Sequence, residues 1–97
     1  MNLEFLPEAM AEFRDAAGYY EDREAGLGKQ FQAEIQEVCL AILDHPFLWR
    51  ERKGGFHRVN CPVFPYYIAY FIRRDKVVVA AVAHESRHPD YWKKRMA

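Results

Sequence analysis

Val77-Val-Val-Ala-Ala-Val-Ala-His-Glu-Ser-Arg-His-Pro-Asp-Tyr-Trp-Lys-Lys-Arg95 sets a short aliphatic run directly against a cluster of histidine, arginine and aromatic residues. Val77 to Ala83 reads as a buried strand, because β-branched residues fit a pleated, packed surface. A strand that stops at His84 delivers ionisable groups to the edge of a sheet, held in place yet wet enough to titrate or grip an anion. Function is expected there, and the rest of the chain reads as scaffold.

Working outward, Phe64-Pro-Tyr-Tyr-Ile-Ala-Tyr-Phe-Ile72 is a second strand, joined to the first by the polar turn Arg73-Arg-Asp-Lys76. Alternation puts Tyr66, Ile68, Tyr70 and Ile72 on one face and Tyr67, Ala69, Phe71 and Arg73 on the other. The isoleucine-bearing face is expected to meet helices, which leaves Tyr67 on the open side. Phe56 to Cys61, after the turn signal Gly54-Gly55, completes a three-stranded antiparallel meander.

Before the meander, Leu6, Met10, Phe13, Ala17 and Tyr20 recur at helical spacing, with Pro7 at the first helical position and Glu12, Asp15 and Glu21 to Glu24 facing water. Leu27, Phe31, Ile35, Val38 and Ile42 repeat the pattern as far as His45-Pro46. Asn2 to Leu6 is a short N-terminal strand, and Asp90 to Arg95 forms a short C-terminal helical turn. The order predicts an α+β fold of one domain, residues 1–97: an antiparallel helical hairpin packed on one face of the sheet, with the opposite face free for a ligand.

Composition narrows the class. At 97 residues and 51% hydrophobic content the chain supports one core and is not disordered. The longest aliphatic run is about a third of the ~20 residues a membrane span needs, no leader-like segment opens the chain, and the expectation is a soluble, cytoplasmic protein with no membrane contact. Cys39 and Cys61 lack metal spacing and read as reduced packing residues. The net charge of zero hides a division: residues 1–48 carry three Lys/Arg against ten Asp/Glu, a net of −7, and residues 49–97 carry eleven against four, a net of +7. That asymmetry suggests a polyanion-facing side.

His84-Glu85-Ser86-Arg87-His88 matches the H-E-x-x-H pattern of zinc proteases, but that pattern works only on a helix, and here a valine-rich strand precedes it and Pro89 follows. No metal and no cofactor is expected. The same residues suit metal-free phosphate chemistry: His84 or His88 as base or acid, Arg87 as phosphate clamp, and Tyr91 or Trp92 as a stacking surface for an unstacked base. Arg58, from an earlier strand, is a second candidate cation, with Tyr67 beside it and Lys93, Lys94 and Arg95 extending the basic edge. The structural alternative is that the histidines only cap hydrogen bonds at the strand end and that Arg87 pairs with Glu85 or Asp90.

The layout Leu3-x-Phe5-x-Pro7-Glu-Ala, Tyr19-Tyr-Glu, Leu27-Gly-x-x-Phe31, His45-Pro46, Arg58-Val, Phe64-Pro-Tyr-x-Ile-x-Tyr70 and Val79-x-x-Val-x-His84-x-x-Arg87-x-Pro89-x-Tyr-Trp resembles toxins of the RelE/ParE superfamily of type II toxin–antitoxin systems. The resemblance implies a compact α+β fold, a cognate protein antitoxin, contact with operator DNA only through that antitoxin, and growth arrest by the free toxin. One branch cuts mRNA on the ribosome with sheet-borne cations and an arginine and tyrosine near the C-terminus. Arg58, Arg87 and Tyr91 or Trp92 match such positions, whereas Asn60 and Tyr67 stand where that branch has a lysine and an arginine. The other branch inhibits DNA gyrase and needs no catalytic set. A further alternative is a degenerate member acting only in a repressor complex.

Overall fold

Pro7 has no amide to donate, and the chain turns from strand to helix there. In the computed structural model, which describes Met1–Ala97, β1 (Asn2–Phe5) ends just before it and α1 (Pro7–Arg23) begins on it. The Leu6 amide, which would otherwise be an orphan donor at the helix start, bonds the Val79 carbonyl at 3.0 Å. The buried side of α1 is Ala9, Ala16 and Ala17, so the helix lies close on the sheet, while its larger Phe13 and Tyr20 reach Phe31 of α2 (Leu27–Asp44) at ring separations of 6.1 and 5.4 Å.

The hairpin between the helices is fixed by backbone requirements rather than by apolar pattern. Gly26 adopts φ +90°, a left-handed conformation glycine enters without a Cβ penalty. Gly26 cannot cap α2 with a side chain, and the Glu21 carboxylate does so from α1, accepting the amides of Gly26 and Gly28 at 2.9 and 3.0 Å. Those bonds hold the Glu21 carboxyl below its ordinary range. A Cβ on Gly28 would sit 2.5 Å from the Ala17 carbonyl oxygen, so α1 and α2 approach here only because position 28 is glycine. Phe31, Ile35, Val38 and Ile42 then form the buried stripe of α2.

The sheet is mixed, in the order β1-β4-β3-β2, where β2 is His57–Asn60, β3 is Tyr66–Arg73 and β4 is Lys76–His84. β2, β3 and β4 are the expected antiparallel meander, and β1 joins it parallel to β4, with Phe5 opposite Val79. Ala69 pairs with Ala81 but Tyr70 pairs with Val79, so Ala80 is an extra residue in β4. This bulge shifts the alternation by one. Val77, Val79 and Val82 therefore face the helices, with Ile68, Tyr70, Phe31 and Ile35, while Val78, Ala80, Ala81 and Ala83 face the other way.

A connection after α2 is clamped onto the helix-facing side by β-sheet residues: the Tyr70 hydroxyl donates to the Pro46 carbonyl at 2.6 Å, and His57 Nδ1 lies 2.7 Å from the Trp49 carbonyl, its ring stacked 4.8 Å from that of Tyr70. The second face differs from the expectation. It is not free for a ligand but carries its own core of Phe56, Tyr67, Phe71 and the β4 alanines, closed by Trp92 as the tail folds back ahead of a 3-10 turn over Lys93–Met96. The reason is the alanine run: small side chains on β4 leave a depression, and an indole of tryptophan size fills it. No helix is long and apolar enough to cross a membrane.

Candidate functional site

β1 has four residues and β4 nine, so the side of β4 beyond Val79 has no neighbouring strand. Unpaired strand groups at a partly covered edge need partners. Glu12, one face of α1 away from the hydrophobic stripe, supplies them. Its carboxylate accepts the Val82 amide at 3.1 Å, the Tyr91 hydroxyl, and both terminal nitrogens of Arg95 at 2.8 and 3.1 Å; Arg95 in turn donates to the Ala80 carbonyl at 3.1 Å. With side chains only 15% and 17% exposed, this ion pair serves as a piece of strand, satisfying one donor and one acceptor of β4 while pinning the tail to α1. Burial and the bond to Glu12 push the Tyr91 phenol well above its ordinary value, so it remains a neutral donor.

Arg87 completes the group. Its guanidinium stacks 3.7 Å from the Tyr91 ring centroid and lies 3.8 Å from Glu12. A cleft of about 290 Å³ opens beside it, lined by Glu12, Asp15, Tyr19, Tyr66, His84 and Arg87 among others. The structure thus brings His84, Arg87 and Tyr91 together, as the sequence suggested. It surrounds them with carboxylates: two cations, Arg87 and Arg95, face Glu12 and Asp15, and the cleft is not the electropositive surface expected.

The histidines are committed to local structure. His84 ends β4, and its Nδ1 accepts the Ser86 amide at 3.0 Å; His88 lies in the following turn, and its Nδ1 accepts the Asp90 amide at 3.1 Å. An amide can only donate, so each Nδ1 is an unprotonated acceptor in the neutral ring and Nε2 carries the hydrogen. The lone pair a general base would use is occupied in both. The chain from His84 to His88 is strand end and turn, not helix, so the two rings do not share a helical face as the zinc motif requires.

Arg58 lies elsewhere. On β2 it pairs with Ala69, on the face away from the helices, where its guanidinium covers the Tyr67 ring at 3.7 Å and bonds Asn60 at 3.0 Å. It lines a separate hollow of about 130 Å³ with Arg52 and Lys93, facing Asp90, whose carboxyl is held below its usual value by Lys93 at 2.6 Å. Tyr67 and Trp92 are 2% and 1% exposed, joined by an indole-to-phenol hydrogen bond of 3.0 Å, so neither ring offers a free face for stacking a base. Lys94 is exposed, and Arg95 is spent on Glu12. The proposed set is therefore divided between two separate hollows.

Glu12, Asp15, Tyr19 and Tyr66 are the residues sequence reasoning did not place at this site. Glu12 and Asp15 sit on the polar side of an amphipathic helix, where they read as solvated. The available signal was the length mismatch between the first and last strands, which demands a polar cap on the longer one.

The cysteines play no part in the cleft. Both are free, and burial pushes the Cys39 thiol up to about 11 and the Cys61 thiol up to about 12, which keeps them protonated and poorly nucleophilic.

Among curated protein sequences none matches this chain significantly. Among solved structures, a chain of the chromosomal ParDE TA system from P. aeruginosa superposes with a TM-score of 0.64 at 10% sequence identity, covering 87% of this chain and 95% of that one, a likeness of fold. The sequence profile of the family described as ParE toxin of type II toxin-antitoxin system, parDE, matches residues 3–89. With the helical hairpin, the mixed four-stranded sheet and that match over nearly the whole chain, the protein belongs to the ParE toxin family of type II toxin–antitoxin systems.

Proposed function

We propose that the protein is a toxin that arrests growth when free of a cognate protein antitoxin, and that it does so in the cytoplasm by binding DNA gyrase rather than by cutting mRNA. One observation carries the choice of target: Arg58 lines a different hollow from the one that gathers His84, Arg87 and Tyr91. Metal-free RNA cleavage needs a base, a phosphate clamp and an acid converging on one phosphate. Here the Nδ1 lone pairs of both histidines are engaged, the Tyr91 hydroxyl is donated to Glu12, and Arg87 faces a carboxylate. A toxin that works by occupying its target needs none of these groups to be free. Contact with operator DNA is assigned to the antitoxin.

The test is a pair of assays on the toxin released from its antitoxin. The reading expects inhibition of gyrase supercoiling and no new 5′ ends by primer extension on translated mRNA. Codon-phased cleavage with unaffected supercoiling would replace it with the ribonuclease reading. Inertness in both, with tight antitoxin binding, would leave only a repressor role.

A further inference from the structure

At the far side of the sheet, β2 is an edge strand with no neighbour beyond it. The Cys61 amide donates to the Tyr66 carbonyl at 2.9 Å, and antiparallel alternation makes Val59–Ile68 and His57–Tyr70 the other bonded rungs with β3. The amides and carbonyls of Arg58 and Asn60 therefore point outward, and none of the four has a partner within the chain. Such a row is a template for another strand. No proline or bulge interrupts β2, and its arginine lies over the Tyr67 ring at 3.7 Å.

This edge is complementary to itself. A second copy related by a twofold axis through Val59 sets Arg58 opposite the partner's Asn60, and the four outward groups of each strand then satisfy those of the other. The side chains of Arg58 and Asn60 share one face, where the terminal nitrogens of Arg58 have no partner in their own chain and can donate to the partner's Asn60. Axes one residue to either side place Arg58 against the partner's Arg58, or against the partner's Pro62, which has no amide to give. The ends of the edge also differ in charge. Arg50, Arg52 and Lys53, against Glu51 alone, lie by His57, where the Trp49 carbonyl meets the imidazole and Arg52 bridges to Phe56. Glu34, which accepts the Val63 and Phe64 amides at 3.1 and 2.9 Å, and Glu85, bonded to Pro65, lie by Cys61. An inverted copy brings each basic end to an acidic one. It also brings Phe47, 68% exposed beside His57, toward the partner's Val63, 79% exposed at the other end.

We propose that the β2 edge is a self-association surface, on which a second copy of this chain pairs antiparallel about Val59 and joins the two sheets into one of eight strands. Main-chain bonds supply the attachment, and the Arg58 to Asn60 pairs with the opposed end charges set the register. The surface is separate from the cleft at Glu12 and Arg87, so pairing leaves that cleft open.

The experiment is sedimentation velocity over a concentration series of the protein freed of any antitoxin, with amide hydrogen exchange at Arg58 and Asn60 at the two ends of that series. The proposal expects a concentration-dependent dimer whose Arg58 and Asn60 amides exchange at least about tenfold more slowly than in the monomer. Asn60→Arg, at an exposed position, sets two like-charge pairs across the axis and should raise the dimer dissociation constant about tenfold, and adding Arg58→Glu should restore it. A protein that stays monomeric up to about 100 µM overturns the proposal. So does a dimer in which the Arg58 and Asn60 amides exchange as in the monomer, or one that Asn60→Arg leaves unchanged, since either places the contact elsewhere. The exchange measurement on the unaltered protein decides the matter even where a variant does not fold.

Discussion

The two faces of the sheet are closed by different means. Toward the helices, Val77, Val79, Val82, Ile68 and Tyr70 interdigitate with Phe31, Ile35 and Ile42, and two helices cover them. Toward the tail, Val78, Ala80, Ala81 and Ala83 offer a shallow surface that one indole, Trp92, covers, with Arg58 and Lys93 laid over Tyr67 and Phe56 at 3.7 and 5.2 Å. The first face depends on many overlapping contacts, the second on a few. The comparison teaches that Arg58 and Lys93 lie on aromatic surface on one side while Arg87 and Arg95 meet Glu12 on the other, so these four cations do not converge on one phosphate.

Removing the single closing residue should have the largest effect. Trp92→Ala is expected to cost about 4 kcal/mol, a large aromatic deletion with little means of collapse, read as a lowered denaturant midpoint, and to expose Tyr67 to solvent quenchers. If stability falls by less than about 1 kcal/mol, the tail is an appendage and not a cover. Glu12→Ala, which leaves Arg95 and the Val82 amide without their partner, should cost about 3 kcal/mol. Its signature is selective: faster exchange at Val82 and disorder of the Tyr91–Met96 segment, with α2 amides unaffected.

The helix side is broken by a smaller change. Gly28→Ala should cost about 2 kcal/mol, because the added methyl meets the Ala17 carbonyl backbone and the Glu21 side chain, neither of which yields without loosening the hairpin. Gly18→Ala, which meets nothing within 4 Å, is its control and should be neutral or slightly stabilising.

Alkaline pH sharpens the same contrast. Burial raises Tyr70 to about 12 and also raises Tyr20, Tyr66 and Tyr91. The unfolded chain loses these protons first, so their contribution is complete below about pH 10 and is lost as pH rises through the folded values. Unfolding followed from pH 9 to 12 should show little change to about pH 10 and a decline beyond it, and Tyr70→Phe, at a cost near 1 kcal/mol at neutral pH, should make that decline shallower. The smallest effect belongs to Arg58→Ala. Its guanidinium is only half-buried over the Tyr67 ring and keeps one side in water, and no more than about 1 kcal/mol is expected in thermal unfolding.

Much of the architecture was legible because it is written in local periodicity. The 3.6-residue stripe of Phe31, Ile35, Val38 and Ile42 and the alternation of Tyr66 to Ile72 specify helix and strand without reference to anything distant. The bulge at Ala80 was not legible, since nothing in Val-Val-Val-Ala-Ala-Val distinguishes one alanine from the next; pairing with Tyr70 and Ala69 decides it. The closed second face was missed for a similar reason. Trp92 entered among the stacking candidates, and only the depression left by the β4 alanines shows that it packs instead. At the candidate site, His84, Arg87 and Tyr91 cluster because they are neighbours in sequence. Glu12, which organises them, is 70 residues from Val82 and 79 from Tyr91 along the chain. A helix carboxylate acting as a strand partner has no local signature.

The claim that arrest comes from binding and not from proton transfer is tested most directly by growth. The unaltered protein and the His84→Ala/His88→Ala double variant, matched for abundance and folding, are each induced without antitoxin. The account predicts arrest by both. Loss of arrest in a folded, abundant double variant would contradict it and return the histidines to a catalytic role.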